Sequence, residues 1–213
     1  MENTPQPYYL KFLAHLVSYV FHPLFIPTYF MLYLIQVVPF EFVGITDWQL
    51  KLRIFSVFWL TAFFPAFAVF LLWRLKFSTS IFLQTQRERI IPYVIVMFFY
   101  WWMYYLSRNF TDQPLALKYF YFGVFIASAL GLIINNFIKV SLHGMGIGGL
   151  LMAIILVGFY YPVNNILWTS IAIALTSIVI SARMIVSDHT RNELIIGLGI
   201  GIVTQTLSFF WVI

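Results

Sequence analysis

The sequence predicts an all-α fold, a polytopic membrane helix bundle with six core spans plus a kinked N-terminal span. Three observations carry that expectation. Of 213 residues, 62% are hydrophobic and only 9% charged, against about 25% charged in soluble domains. The mean hydropathy is +0.91. The apolar residues also come in runs of roughly 20, the length a helix needs to cross bilayer hydrocarbon, and short polar links separate the runs.

The elements follow in order. Residues 8–39 form a long apolar stretch interrupted by "FHPLFIPT". Pro23 and Pro27 each remove a backbone donor and crowd the preceding turn, so an interfacial helix is expected at 8–21 and a first span at 24–40. Further spans are expected at 54–73, 91–107, 117–137, 145–161, 166–182 and 195–213, seven crossings in all. Neither a linker nor a repeat divides the chain, which reads as one integral membrane domain over 1–213. The N-terminus "MENTPQPYYLKFLAHL" has no basic n-region and no small-residue cleavage site, so no cleaved signal peptide is expected. Aromatic clusters such as "FFYWWMYY" and "KYFYF" near span ends fit an interfacial belt and bundle packing, with a ligand cage as the alternative.

Composition also narrows the chemistry. The chain has no cysteine, which removes disulfides, thiolate metal sites and thiol nucleophiles. Its three aspartates, Asp47, Asp112 and Asp188, are never adjacent, so the paired carboxylates that hold magnesium on a diphosphate in an intramembrane prenyltransferase are missing. No acidic residue falls in mid-span, which argues against a proton-coupled transporter. The net charge of +5 comes from basic residues on the short links, where it anchors the chain to headgroups and does not mark a nucleic-acid partner.

Seven crossings sort the links onto two faces. The face of the N-terminus receives 74–90, 138–144 and 183–194; the opposite face receives 41–53, 108–116 and 162–165. The first set contains "QTQRERIIPY", "KVSLHGMGIGGL" and "SARMIVSDHTRNE". Ionised side chains cost roughly 2.5–3.5 kcal/mol in a bilayer on insertion scales, so polar segments gathered on one face are expected to partner one another.

In the last segment His189 and Glu193 lie four apart, which on a helix puts them on one face. A carboxylate on one imidazole nitrogen fixes the tautomer and makes the other nitrogen a better base or nucleophile. Arg183 adds a planar fork of donors suited to phosphate. Interfacial charges pairing among themselves would explain the segment equally well, and Asp188 and Arg191 read as flanking surface charge. In the middle segment Lys139, Ser141 and His143 alternate before a glycine-rich helix start, where Gly144 could present its amide to an anion. Gly148 and Gly149 could equally serve helix packing. Arg87 and Arg89 flank Glu88 in the first segment and would add charge to the same site, or anchor headgroups. His22, at the kink, could reach the site, but is expected to be a satisfied histidine there, and neither it nor His15 is counted in the catalytic set.

These residues resemble the type-2 phosphatidic acid phosphatase superfamily, membrane lipid phosphatases that share a fold with vanadium haloperoxidases. The family's third motif runs Ser-Arg, five residues, His, three residues, Asp. Here Arg183, His189 and Glu193 keep the spacing, with Ala182 for Ser and Glu for Asp. Ser141 and His143 match the second motif, Pro-Ser-Gly-His. The first motif, Lys, six residues, Arg-Pro, is echoed by "QRERIIP" without its lysine. The resemblance covers about 85–200, and "HP" near the start with "RERIIPY" before a span is similar to a divergent branch in Bacteroidetes.

The resemblance implies a metal-independent phosphatase with no cofactor, acting on a phospholipid or polyprenyl phosphate in the bacterial inner membrane. His189 would be the nucleophile, Glu193 its orienter and His143 the general acid and base. Arg183, Lys139, Ser141, Gly144, Arg89 and Arg87 would cradle the phosphate. The alternative is an inactive subunit that binds an anionic lipid or a protein partner. The face with the site holds Lys11, Arg74, Lys76, Arg87, Arg89, Lys139, Arg183 and Arg191, the other only Lys51, Arg53, Arg108 and Lys118. The positive-inside rule would make the richer face cytoplasmic, but five of its residues, Arg87, Arg89, Lys139, Arg183 and Arg191, lie in the three polar segments of the site, and the family's enzymes often face the periplasm.

Overall fold

The computed structural model describes residues 7–78, 80, 85–186 and 189–213, and among these the regular structure is helical, without strands. The first apolar stretch consists of α1 (Tyr8–Val20), a 3-10 turn (Pro23–Phe25) and α2 (Ile26–Val37). A second consists of α3 (Asp47–Phe58), a π-helical turn (Trp59–Phe63) and α4 (Phe64–Arg74). Then come α5 (Ile90–Asn109), α6 (Leu115–Asn135), α7 (Leu142–Tyr160), α8 (Ile166–Val186) and α9 (Arg191–Val212). Seven stretches of the described chain are long and apolar enough to cross a membrane, as a multi-pass protein requires. Their outward side chains are themselves large and apolar, Phe67, Phe98, Ile173 and Val203 among them.

Two elements differ from expectation, each for a local reason. The second span starts at Asp47 because Thr46 and Gln49 form a capping box, each side chain meeting the other's backbone N–H, which adds polar turns ahead of the apolar run. Its π turn precedes Pro65, which has no N–H to return to the preceding turn; widening the helix avoids the clash. The segment expected as an interfacial helix, α1, instead packs along α8. Leu10, Leu13, Ala14 and Val17 face Ser177, Ile178, Ser181, Ala182 and Ile185 across an apolar groove. The spacing of that stripe gives α1 a bundle-facing side, and Ala14 and Ser18 are buried on it.

The most buried span is α7, and its most extensive partner is α9. The two run parallel and nearly touch backbone to backbone. A Cβ built on Gly144 would lie 2.8 Å from the Leu194 carbonyl oxygen, and one on Gly148 2.5 Å from that of Leu198. From the other side, Gly197 faces the Ser141 carbonyl at 2.6 Å and Gly201 that of Met145 at 2.2 Å. Without side chains between them the backbones gain dispersion contact, the usual source of helix association in lipid. Farther from the site, Gln205 Nε2 donates to the Phe120 carbonyl at 3.2 Å and Ser208 Oγ to that of Tyr119, which ties α9 to α6.

Gly199, on the same helix, has nothing within 4 Å of a built Cβ. Gly199→Ala is therefore expected to be neutral or to stabilise by up to about 1 kcal/mol through helix propensity. Gly201→Ala must push the backbones apart and is expected to destabilise by about 1–3 kcal/mol. Unfolding in mixed detergent micelles, followed by circular dichroism, separates the two; equal effects would contradict the close α7–α9 contact.

Candidate functional site

Because α7 and α9 are parallel, both begin on the same face, and each begins with a side-chain cap. Ser141 Oγ accepts the Gly144 N–H at 3.3 Å, and Thr190 Oγ1 accepts the Glu193 N–H at 3.3 Å. The Ser141 N–H in turn donates to the Glu193 carbonyl at 3.3 Å, locking the link before α7 onto the first turn of α9. Two helix N-termini thus open side by side, and their partial positive charges favour an anion.

Glu193 carries the centre of the arrangement. One carboxylate oxygen accepts the Thr190 N–H at 3.0 Å and also meets His189 Nδ1 at 2.9 Å. The His189–Glu193 pair was expected on one helical face, but α9 starts only at Arg191, so His189 precedes the helix and meets Glu193 across its capping box. A carboxylate can only accept, so Nδ1 carries the proton and Nε2 is the basic nitrogen. The His189 side chain is only 5% exposed. Burial holds its pKa below the ordinary histidine value; the hydrogen bond and charge of Glu193 work against that, while the charges of Arg89 and Arg183 add to it.

The other two segments arrive from different spans. Arg89 ends the turn before α5, is 8% exposed, and donates from Nη1 to the Val140 carbonyl at 3.1 Å. Burial presses its pKa down, while Tyr93 and Glu193 favour its charge. Arg183 lies in the last turn of α8, within electrostatic reach of His22, His143 and His189. His143, in the first turn of α7, places Nε2 2.9 Å from the Ser18 carbonyl oxygen. That oxygen only accepts, so Nε2 bears the proton and Nδ1 is the basic nitrogen.

The structure therefore brings His189, Glu193, His143, Arg183 and Arg89 together, and the three polar segments do meet on one face. Other expected members lie elsewhere. Arg87 is exposed, because consecutive positions of the 85–89 turn point to different sides and Arg89 takes the inward one. Lys139 is half-buried on the link before α7 and is not among the charges that act on the three histidines. The Gly144 amide, expected to meet phosphate, is engaged by Ser141, whose own hydroxyl is fully buried. Both residues serve the helix start and its contact with α9. Arg191 is exposed as expected, and Asp188 lies outside the described residues.

Sequence reasoning missed four participants. His22, expected to be a satisfied histidine at the kink, meets the His143 ring edge to face with 5.3 Å between centroids. The Ser18 carbonyl is a backbone atom and leaves no signal in residue type. Gly197 and Gly201 repeat the spacing of Gly144 and Gly148, which is the signal that could have paired the two helices. No protein-family model, no curated protein and no solved structure matches this chain.

The electrostatics of His189 can be tested by titration. Its neutral form is favoured in the fold, so the stability this contributes is fully present above the unfolded histidine pKa of about 6.5 and is lost as pH falls through the lower folded value. Arg183→Gln removes a cation that disfavours the imidazolium and is expected to raise the His189 midpoint. Glu193→Gln removes a hydrogen bond and an anion that favour it, and is expected to lower the midpoint. Histidine 15N NMR reads both shifts; movement in the same direction would contradict the arrangement.

Proposed function

We propose that the protein is an integral membrane phosphatase that hydrolyses a lipid phosphate or diphosphate through a phosphohistidine on His189. The observation that carries this reading is the His189–Glu193 pair: Glu193 engages Nδ1 at 2.9 Å, which makes Nε2 the basic nitrogen of a ring on which the charges of Arg89 and Arg183 both act. The resemblance to type-2 phosphatidic acid phosphatases supports the same roles. In the first step His189 Nε2 forms a bond to phosphorus as the bond from phosphorus to the lipid oxygen breaks. Arg183 and Arg89 carry the charge that builds on the equatorial oxygens. The departing oxygen takes a proton from His143 Nδ1, a proton brought into the site on the monoanionic phosphate. Water then gives a proton to His143 Nδ1 and attacks phosphorus, the P–N bond returns its electrons to His189, and inorganic phosphate leaves.

Polyprenyl diphosphate, phosphatidate, phosphatidylglycerol phosphate and lipid A phosphate all offer this chemistry. The proposed setting is the bacterial inner membrane, with the site on the periplasmic face. Since the chain has no cysteine, Asn136→Cys places one exposed thiol at the end of α6 on the same face. A membrane-impermeant maleimide is expected to label it in intact cells; labelling only after lysis would put the site in the cytoplasm.

A second reading has its own support. Ala182 and Glu193 depart from the motif, and the same cluster could hold an anionic headgroup without turnover. Phosphate release from detergent-solubilised protein decides between them. His143→Ala is expected to lose about 10²–10⁴-fold, and His189→Ala to lose the acid-labile phosphoprotein altogether. Hydrolysis at wild-type rate by both variants would rule out the phosphohistidine route, and a wild type that binds lipid phosphate without releasing phosphate would favour the second reading.

A further inference from the structure

The end of α1 carries chemistry that the site described so far does not use. A helix leaves its last four carbonyls without intrahelical donors, and at Val17 to Val20 each has found one. Phe21 N–H donates to Val17 at 2.9 Å, His22 N–H to Tyr19 at 3.3 Å, and the Tyr29 hydroxyl to Val20 at 2.7 Å. The remaining carbonyl, that of Ser18, is met by His143 Nε2 at 2.9 Å. In an unbroken helix that carbonyl would have taken the His22 N–H. The break before Pro23 redirects that N–H to Tyr19 and releases the Ser18 oxygen to the site.

The same break positions the His22 ring. Its Nδ1 accepts the Leu24 N–H at 3.4 Å, capping the 3-10 turn and leaving the proton on Nε2. Pro23 is held against α7, since a Cβ on Gly146 would come within 3.3 Å of it. So fixed, the His22 imidazole stands at 84° to that of His143, with 5.3 Å between centroids. His143 is thus gripped twice from one segment, by a carbonyl on Nε2 and by a ring against its own.

We infer that His22 is a positioning residue of the site: with the Ser18 carbonyl it clamps the His143 ring in one tautomer and one orientation, keeping Nδ1 as the reactive nitrogen. The first span is then part of the catalytic apparatus, although the motif resemblance covers only about 85–200. The catalytic consequence rests on the phosphatase reading; the clamp itself does not, and two readouts separate them.

Two substitutions divide the duties of His22. His22→Asn retains an oxygen that can cap Leu24 N–H and removes the ring, while His22→Phe retains the ring and removes the cap. Histidine 15N NMR on the full-length protein in micelles is expected to show His143 as the Nε2–H tautomer in wild type and His22→Phe, and as a tautomer mixture in His22→Asn. On a short-chain phosphatidate, His22→Asn is expected to lose about 10–100-fold in kcat with KM within twofold, as a misplaced catalytic group does, and His22→Phe to recover most of it. A wild-type tautomer and kcat in His22→Asn would overturn the clamp and leave His22 a helix cap. An inactive wild type whose His143 tautomer still depends on the ring would overturn the phosphatase reading and keep the clamp.

Discussion

The rest of the molecule depends on the parallel contact between α7 and α9. Gly144, Gly148, Gly197 and Gly201 let two backbones approach to distances that no Cβ would permit. That proximity sets the register in which the Ser141 N–H reaches the Glu193 carbonyl, and the register places the first turns of both helices, with His143 and Glu193, at one depth. Small residues at such a contact do not by themselves make a site. Here they fix the relative height of two catalytic candidates that are fifty residues apart in the chain, a tolerance that flexible side chains could not hold.

Parallel alignment also has an electrostatic consequence. Two helix N-termini side by side place positive partial charges together where the dielectric is low, an unfavourable arrangement unless an anion answers it. Glu193 answers in part: its carboxylate accepts the Thr190 N–H and holds His189. Against it stand Arg89 and Arg183, whose charges both bear on His189. Among the described residues these two cations stand beside one carboxylate, and burial, which keeps Arg89 8% exposed, makes their charge harder for water to screen. On the proposed reading, a lipid phosphate would meet this charge.

The spans were legible in the sequence because bilayer thickness dictates their length, and only a side-chain signal such as the capping box at Thr46 and Gln49 shifted an end appreciably. The His189–Glu193 spacing was legible too, but its meaning was not. Four residues apart suggested one helical face, whereas the helix begins between them and the pair is joined by a cap. Arg87 and Arg89 looked equivalent in sequence, and the turn turned only Arg89 inward. Gly144 beside His143 suggested an anion donor, yet its amide completes a cap and its missing Cβ admits α9. In each case residue type was informative and direction was not, because direction comes from where a helix starts.

The least legible part is the break at Phe21 to Phe25, and the reason is general. Prolines announce that a helix is interrupted, but not which carbonyls the interruption releases or what will satisfy them. A carbonyl buried in the bundle cannot turn to water, so the fold must supply a donor for it. At Tyr19 and Val20 the donors come from the same segment, the His22 N–H and the Tyr29 hydroxyl. At Ser18 the donor is His143, drawn from a helix more than a hundred residues away. One hydrogen bond therefore does two things: it removes the cost of a broken span, and it fixes which nitrogen of a site histidine carries the proton. The requirement that a membrane helix leave no carbonyl unmet becomes, at this position, a requirement on the chemistry of the site.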